Sequence, residues 1–468
     1  MHEVDALNAL FGDAVSVVDG TLTVSRPEAL AGPGMDELVR TAVFGEGTAK
    51  QYARWMIWEL GQEVGVRPAS IQDLYMARGR GEVHGFTVPA INVRGASYDT
   101  ARAIFRTAKS MKAGSFILEI ARSEIAYTGQ RPAEYVAVML AAALREGFRG
   151  PLFIQGDHFQ VNHKKYAVNP GPEVEGVKAL VREAVGSGFY NIDIDTSTLV
   201  DLSKGSISEQ QRLNYEVGVD ILKVVREVQP PRVTISVGGE IGEVGTQNST
   251  VEELRAYMDG LNAALPKGMT GLSKISVQSG TSHGGVVLAD GSIADVKLDL
   301  DTLERLSTVA RDEYHLSGAV QHGASTLPDT SFHNFPSREV AEIHLATNFQ
   351  NMMFDALPAA LRDEIYAWLH VNAMDERKAT DTDEQFVYKT RKKALGPFKQ
   401  KLWDFAATDA KLASVYDAKF RFLFEQLAIG DTAAMVAKYV RPPRHQRPMP
   451  EDANPTHVAA PDDADLSD

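Results

Sequence analysis

Cysteine is absent from the 468 residues. That excludes disulfides, thiolate metal sites, iron–sulfur clusters and a cysteine nucleophile. No run of about 18 apolar residues occurs, so no membrane-spanning helix is expected. Cations are in the minority: 48 Lys and Arg against 62 Asp and Glu give a formal charge of −14. Non-specific nucleic-acid binding draws its affinity from Lys and Arg on phosphates, so no nucleic-acid partner is expected. The opening Met1-His2-Glu3-Val4-Asp5 lacks the positive region and apolar stretch of a signal peptide, and a cytoplasmic protein is expected. What is present is a hydrophobic content of 44%, enough for a sizeable core.

Residues 1–82 read as a mostly helical N-terminal extension. Trp55, Met56, Ile57 and Leu60 recur there at roughly helical spacing. From Phe86 onward, short β-rich apolar runs alternate with amphipathic stretches. The runs are Phe86–Val93, Ser115–Ile120, Leu152–His158, Tyr190–Thr196, Arg232–Glu240, Ser273–Gly280, Leu316–Gly323 and Ile343–Asn348. Apolar strands separated by helices imply a parallel sheet covered on both faces. Eight such units between residues 83 and 370 suit a (β/α)8 TIM barrel, about 250 residues typically; a doubly wound open sheet is the alternative. Residues 371–440 read as a helical C-terminal extension whose aromatics serve packing or an oligomer contact, and a homo-oligomer is expected. Residues 441–468, rich in Pro, Ala and Asp, are expected to be a disordered tail.

Barrel enzymes place their chemistry at the C-terminal ends of the strands. The runs end on Asn92, on Asp157-His158, on Asp195, on Glu240, before His283, on His322 and near Thr347, with His344 inside the last. His158, His283 and His322 form the expected metal set, with Glu240 a fourth or alternative ligand. Imidazoles mixed with carboxylate suit Zn²⁺, and another divalent ion fits the same set. Asp195 is either a secondary ion site or a hydrogen-bond partner for a ligand histidine. Gly284 and Gly323 directly follow histidines, where backbone N–H groups can approach an anion closely. With Ser325 and Thr347 they read as a phosphate cradle; tight turns alone are the plainer reading. No lysine terminates a run, so a covalent Schiff base is not expected.

In this order the motifs resemble the class II, metal-dependent fructose-bisphosphate aldolase family over about residues 83–370. Val88-Pro89-Ala90-Ile91-Asn92 looks like its first strand. Gly156-Asp157-His158 resembles its Asp-His motif, and Ile194-Asp195-Thr196-Ser197 its fourth-strand Asp segment. Gly239-Glu240-Ile241-Gly242 is similar to its metal-binding glutamate motif. Gly280-Thr281-Ser282-His283-Gly284 and Gln321-His322-Gly323-Ala324-Ser325 resemble its two remaining zinc-histidine motifs. The resemblance implies aldol cleavage of a phosphorylated ketose to a dihydroxyacetone-phosphate-like ketone and an aldehyde, with Asp157 acting on the substrate hydroxyl. The departures are equally specific. The acidic pair expected after the fifth strand falls at Asn248-Ser249, leaving Glu243 as the candidate for proton transfer at the ketone. The Lys-x-Asn of the eighth strand is Glu342-Ile343-His344, with His344 where the family's substrate-binding asparagine stands, and Ala346 replaces an aspartate. Arg391 lies where the family offers a phosphate-binding arginine, and the loop Phe159–Gly171, with His163, Lys164, Lys165 and Tyr166, can fold over the site. A metal-dependent sugar-phosphate epimerase and a non-catalytic aldolase-like subunit are the competing readings.

Overall fold

The computed structural model describes residues 2–241, 247–280, 288 and 298–450. Among the described residues there are eleven strands: β1 Val15–Val18, β2 Thr21–Val24, β3 Val66–Ala69, β4 Val88–Asn92, β5 Ile117–Ala121, β6 Gly150–Gln160, β7 Asn191–Asp195, β8 Ser236–Glu240, β9 Lys274–Val277, β10 Ala319–Gln321 and β11 Glu342–Leu345. Each of the eight runs read from the sequence contains or overlaps one of β4 to β11. These pair in parallel in the order β6-β5-β4-β11-β10-β9-β8-β7, and β6 pairs with β7 to close the sheet. The result is the expected (β/α)8 barrel.

Helices cover the outside because their apolar residues recur on one face. In Ser97–Met111, for example, Ala101, Ile104, Phe105 and Ala108 are all fully buried. Among the described residues, no helix is long and apolar enough to cross a membrane.

The terminal segments depart from the sequence-based expectation. Residues 1–82 contain the antiparallel β1–β2 hairpin and β3, besides their helices. Strand β3 pairs in parallel with the start of β6, so this segment extends the barrel sheet instead of only packing on it. The helix Gln72–Gly79 reaches the foot of the barrel: Arg78 is fully buried and donates to the carbonyls of Phe86 and Val340. The aromatic residues of 371–440 pack inward. Phe420 meets Phe349 at a ring distance of 4.8 Å and Phe424 meets Phe116 at 5.7 Å, which accounts for the aromatic content as core.

Residues 441–450, expected to be disordered, carry no helix or strand but are held by side chains of the helix Gly47–Val64. The Gln62 and Glu59 side chains accept from the N–H groups of His445 and Arg447, while the Trp58 and Trp55 indoles donate to the carbonyls of the same two residues. The Arg447 guanidinium stacks 3.4 Å over the Trp58 ring and donates to the carbonyls of Gly186 and Ser187.

Strand β6 is irregular near its C-terminal end. Its pairing with β7 shifts register between Gly156 and Phe159, the mark of a bulge. Inside it His158 takes a left-handed backbone with φ of 40°, a conformation uncommon outside glycine. The bulge folds Phe159 back so closely that a Cβ at Gly156 would stand 2.5 Å from two carbons of its ring. Phe159 is fully buried and cannot swing away. Gly156→Ala is therefore expected to destabilise the chain by about 1–3 kcal/mol through overpacking. Urea denaturation monitored by tryptophan fluorescence measures this; an unchanged midpoint would show that the bulge has room to spare.

Candidate active site

Strand ends set the site. Asn92 ends β4, Asp157 and His158 sit in the β6 bulge, Asp195 ends β7, Glu240 ends β8, His322 follows β10 and His344 lies in β11. In a regular strand, neighbouring side chains point to opposite faces. The bulge breaks that alternation, and Asp157 and His158 both line one cleft, with Asn92, Gln160, His322, Gly323, Ser325, His344 and Thr347.

Distances show how tightly these groups are drawn together. His158 Nδ1 lies 3.1 Å from Asp195 Oδ2 and 3.3 Å from Glu240 Oε2. The His158 and His322 ring centres are 4.2 Å apart, and those of His322 and His344 are 4.0 Å apart. Asp157 is held on both oxygens: Asn92 Nδ2 donates to Oδ2 at 2.8 Å, and His344 Nδ1 lies 3.1 Å from Oδ1. The second hydrogen of the Asn92 amide goes to Glu124 Oε2 at 2.9 Å, which fixes which way that amide faces. Burial pushes the Asp157 carboxyl up, but His158 and His344 outweigh it and hold it well below the usual carboxylate range. Burial likewise opposes charge on His158, but Asp157 and Glu240 outweigh it and raise that imidazole well above its ordinary value. These carboxylates call for a cation among them.

The donor set fits a divalent metal. Ligand atoms of Asp157, His158 and His322 lie within 4.8 Å of one another, as do those of His158, Asp195 and Glu240. Mixed imidazole and carboxylate ligation suits Zn²⁺ and its neighbours. His283, Gly284 and Glu243 lie outside the described residues. Gly323 has a φ of 68°, the left-handed region where glycine is favoured. Ser325 Oγ accepts from the Ala346 N–H, and Thr347 opens the helix Thr347–Ala356, where unpaired N–H groups face an incoming anion.

Other expectations need correction. Arg391 is buried, stacked 4.6 Å from the Tyr388 ring centre and hydrogen-bonded to Asn351; the cleft is lined instead by its neighbour Lys392 and by Arg94. The residues His163–Val168 form a short helix, and neither Lys164, Lys165 nor Tyr166 lines the cleft. Asn248 and Ser249 are committed to the scaffold: Asn248 Nδ2 donates to Asp299 at 2.9 Å, and Ser249 Oγ accepts from the Gln278 N–H.

Beneath the cleft lies a layer that strand-end reasoning missed. Lys274 on β9 points into the barrel, fully buried, with Nζ 2.5 Å from Glu342, 2.7 Å from Gln155 and 2.9 Å from Asp193. A Cβ at Gly238 would overlap Asp193 Oδ1 and stand 2.8 Å from Lys274 Cε, so glycine makes room for this pair. Glu342 also accepts from Tyr75 Oη, Gln155 and His344. Burial pushes the Glu342 carboxyl up, but Lys274 and His344 bring it down to about 2. Burial lowers Lys274, and Asp193 and Glu342 more than restore it. A charged, enclosed amine with three acceptors cannot attack a carbonyl, so Lys274 is no Schiff-base lysine. The lysine stood at the start of the run Ser273–Gly280, where its inward direction was readable from period-two alternation.

A (β/α)8 barrel with histidines and carboxylates gathered at the strand ends is the architecture of metal-assisted barrel enzymes. Residues 79–403 match the family described as fructose-bisphosphate aldolase class-II. The chain belongs to that family. A search of curated proteins gave no match. Among solved structures, a fructuronate-tagaturonate epimerase from Cohnella laeviribosi shares the fold, with a TM-score of 0.57 and 11% identity over 80% of this chain and 85% of that one. A fructose-bisphosphate aldolase from Campylobacter jejuni aligns with a TM-score of 0.46 and 16% identity over 78% of this chain and 97% of that one.

Glu119 provides a test of the buried layer. It is fully buried on β5 beside Asp157. Burial and the Asp157 charge raise its carboxyl from the usual 4.5 to about 8 against the pull of His344. Between those values the folded chain keeps a proton that the unfolded chain releases, so stability falls as pH rises to about 8 and is constant in this respect above it. Glu119→Gln removes that slope. Denaturant unfolding at pH 5.5 and 8.5 should show a smaller difference between the two for the variant than for the parent; an equal difference would mean that Glu119 is ionised throughout.

Proposed function

We propose that the chain catalyses reversible, divalent-metal-dependent aldol cleavage of a phosphorylated ketose, yielding a dihydroxyacetone-phosphate-like ketone and an aldehyde. The observation that carries this reading is the Asp157 carboxylate, held ionised at the cleft beside His158 with both oxygens oriented. Cleavage needs a base for the hydroxyl on the far carbon of the breaking bond, the carbon that becomes the aldehyde, and Asp157 takes that proton. Asn92 and His344 keep its lone pairs directed into the cleft. His158, Glu240 and His322 would hold the metal, with His283 added by the family resemblance and Asp195 orienting the His158 ring at 3.1 Å. When bound, a divalent ion there supplies Lewis-acid polarisation of the ketone carbonyl. Gly323, Ser325 and the helix start at Thr347 offer N–H and hydroxyl donors to a phosphate, and Arg94 and Lys392 bring positive charge to the same cleft.

A second reading, epimerisation of a sugar, has one observation in its favour. Asn248 and Ser249 stand where the family's acidic pair belongs, and both are tied to the scaffold. A ketone fragment that is never protonated is not released; it can only recombine with the aldehyde, and recombination on the other face gives the epimer. Glu243 remains the candidate for protonating that fragment. The fold shared with the Cohnella laeviribosi epimerase is consistent with such chemistry, although fold alone does not decide it.

Product analysis over a set of phosphorylated ketoses, with and without chelator, separates the two. Aldolase action gives a free aldehyde, loses turnover on chelation and regains it with Zn²⁺ or another divalent ion. Asp157→Asn should lower kcat by about 10²- to 10⁴-fold with metal retained, and His158→Ala should lose metal and activity together. Epimers without fragments would select the second reading. Turnover indifferent to chelator would overturn both.

A further inference from the structure

The eighth barrel strand of this chain reads Glu342-Ile343-His344 where the family resemblance leads one to expect Lys-x-Asn. The structure shows what accompanies that change. A buried cation stands two strands away from it: Lys274 of β9 reaches Glu342 of β11 at 2.5 Å and Asp193 of β7 at 2.9 Å. Glu342 in turn lies 2.7 Å from His344 Nε2. The other ring nitrogen, Nδ1, faces Asp157 Oδ1 at 3.1 Å and Glu119 Oε1 at 3.1 Å. The imidazole is thus pinned at both ends, one end to the foot of the barrel and the other to the carboxylate that works at the cleft. His344 is 4% exposed and Glu342 is fully buried, so no solvent competes for these contacts.

We propose that Glu342, anchored by Lys274, is a positioning residue that fixes the His344 ring, and through it the Asp157 carboxylate. The inference rests on the reaction proposed above, in which Asp157 is the base. Lys274 keeps Glu342 in place, Glu342 sets the angle of the His344 ring, and that ring together with Asn92 sets the two oxygens of Asp157. Neither Glu342 nor Lys274 lines the cleft, and Glu342 reaches it through His344. A histidine without the glutamate beneath it could rotate and leave Asp157 held by Asn92 alone. Glu342 and His344 of the eighth strand and Lys274 of the sixth barrel strand then form one unit.

The test is a double-mutant cycle on turnover joined to crystallography. Glu342→Gln should reduce kcat by about 10- to 100-fold with KM and metal content unchanged, since the residue touches neither substrate nor the proposed ligands. In a His344→Asn background the same substitution should cost nothing further. Glu342→Asp retains the charge beside Lys274 but withdraws it from the ring, and should show a smaller kcat loss of the same kind; it also serves if the glutamine variant does not fold. A crystal structure of either variant should show the His344 ring turned and its contact with Asp157 lengthened. An equal loss in both backgrounds, a loss carried by KM or by metal content, or a ring that stays in place would overturn the proposal. Diffraction needs no turnover, so a parent chain that cleaves no ketose refutes the proposed reaction, while the position of the ring still decides the role of Glu342.

Discussion

A positive charge enclosed in the barrel is the constraint on which the rest depends. The interior of a (β/α)8 barrel is ordinarily filled by branched aliphatic side chains. Here the middle of the barrel holds Lys274 with Glu342, Asp193 and Gln155 around it, and Gln155 in turn donates to Glu119. An isolated ion in such a place would cost several kcal/mol after relaxation, so every member must have partners. That requirement explains Gly238, whose missing side chain leaves room for the Asp193–Lys274 pair, and the Tyr75 hydroxyl that donates to Glu342. Removing one member would leave an uncompensated charge, which is more damaging than removing the whole set. The layer therefore behaves as a unit, and the cleft residues standing on it inherit its rigidity.

The bulge in β6 is the second element of this design. It spends one left-handed residue, His158, to break the alternation that would otherwise send Asp157 and His158 to opposite sides of the sheet. One strand end then delivers both a carboxylate and an imidazole to the same cleft. The strain is local and is held by the packed Phe159 ring below it and by Asp195 and Glu240 beside the imidazole. Strained backbone kept in place by its surroundings is a common feature of sites that hold reacting groups in fixed relation.

Much of this was legible in the sequence, for physical reasons. Parallel strands buried on both faces appear as apolar runs, and the barrel puts polar residues where those runs stop; Asn92, Asp157, His158, His322 and Thr347 were found by that rule alone. What was not legible comes from contacts that have no pattern. Strand β3 is the four residues Val66-Arg67-Pro68-Ala69, too short and too broken by proline to read as a strand. Residues 441–450 are polar and proline-rich, and their order comes from side chains of a helix nearly 400 positions away in sequence binding their backbone. Arg391 and Lys392 are neighbours in a 3-10 turn, where successive side chains point about 120° apart, so Lys392 lines the cleft and Arg391 does not. Lys274 begins β9 and does not end it, so the strand-end rule does not select it; it faces the axis because alternate side chains of a barrel strand do.

The same long-range contacts give the terminal segments a share in the site. The helix Gln72–Gly79 supplies Tyr75 to the ion layer and Arg78 to the carbonyls of Phe86 and Val340, so it stops the lower end of the barrel. The residues that bind 441–450 lie on the preceding helix, Gly47–Val64, and Arg447 ties them to Gly186 and Ser187 at the end of the helix Pro170–Ser187. The two termini are thus joined to each other and to the end of that helix. A low-dielectric interior strengthens every pairing within it and penalises every unpaired group. The Lys274–Glu342 pair lies in such an interior, and Tyr75 of the N-terminal extension is one of the groups that complete its hydrogen bonds.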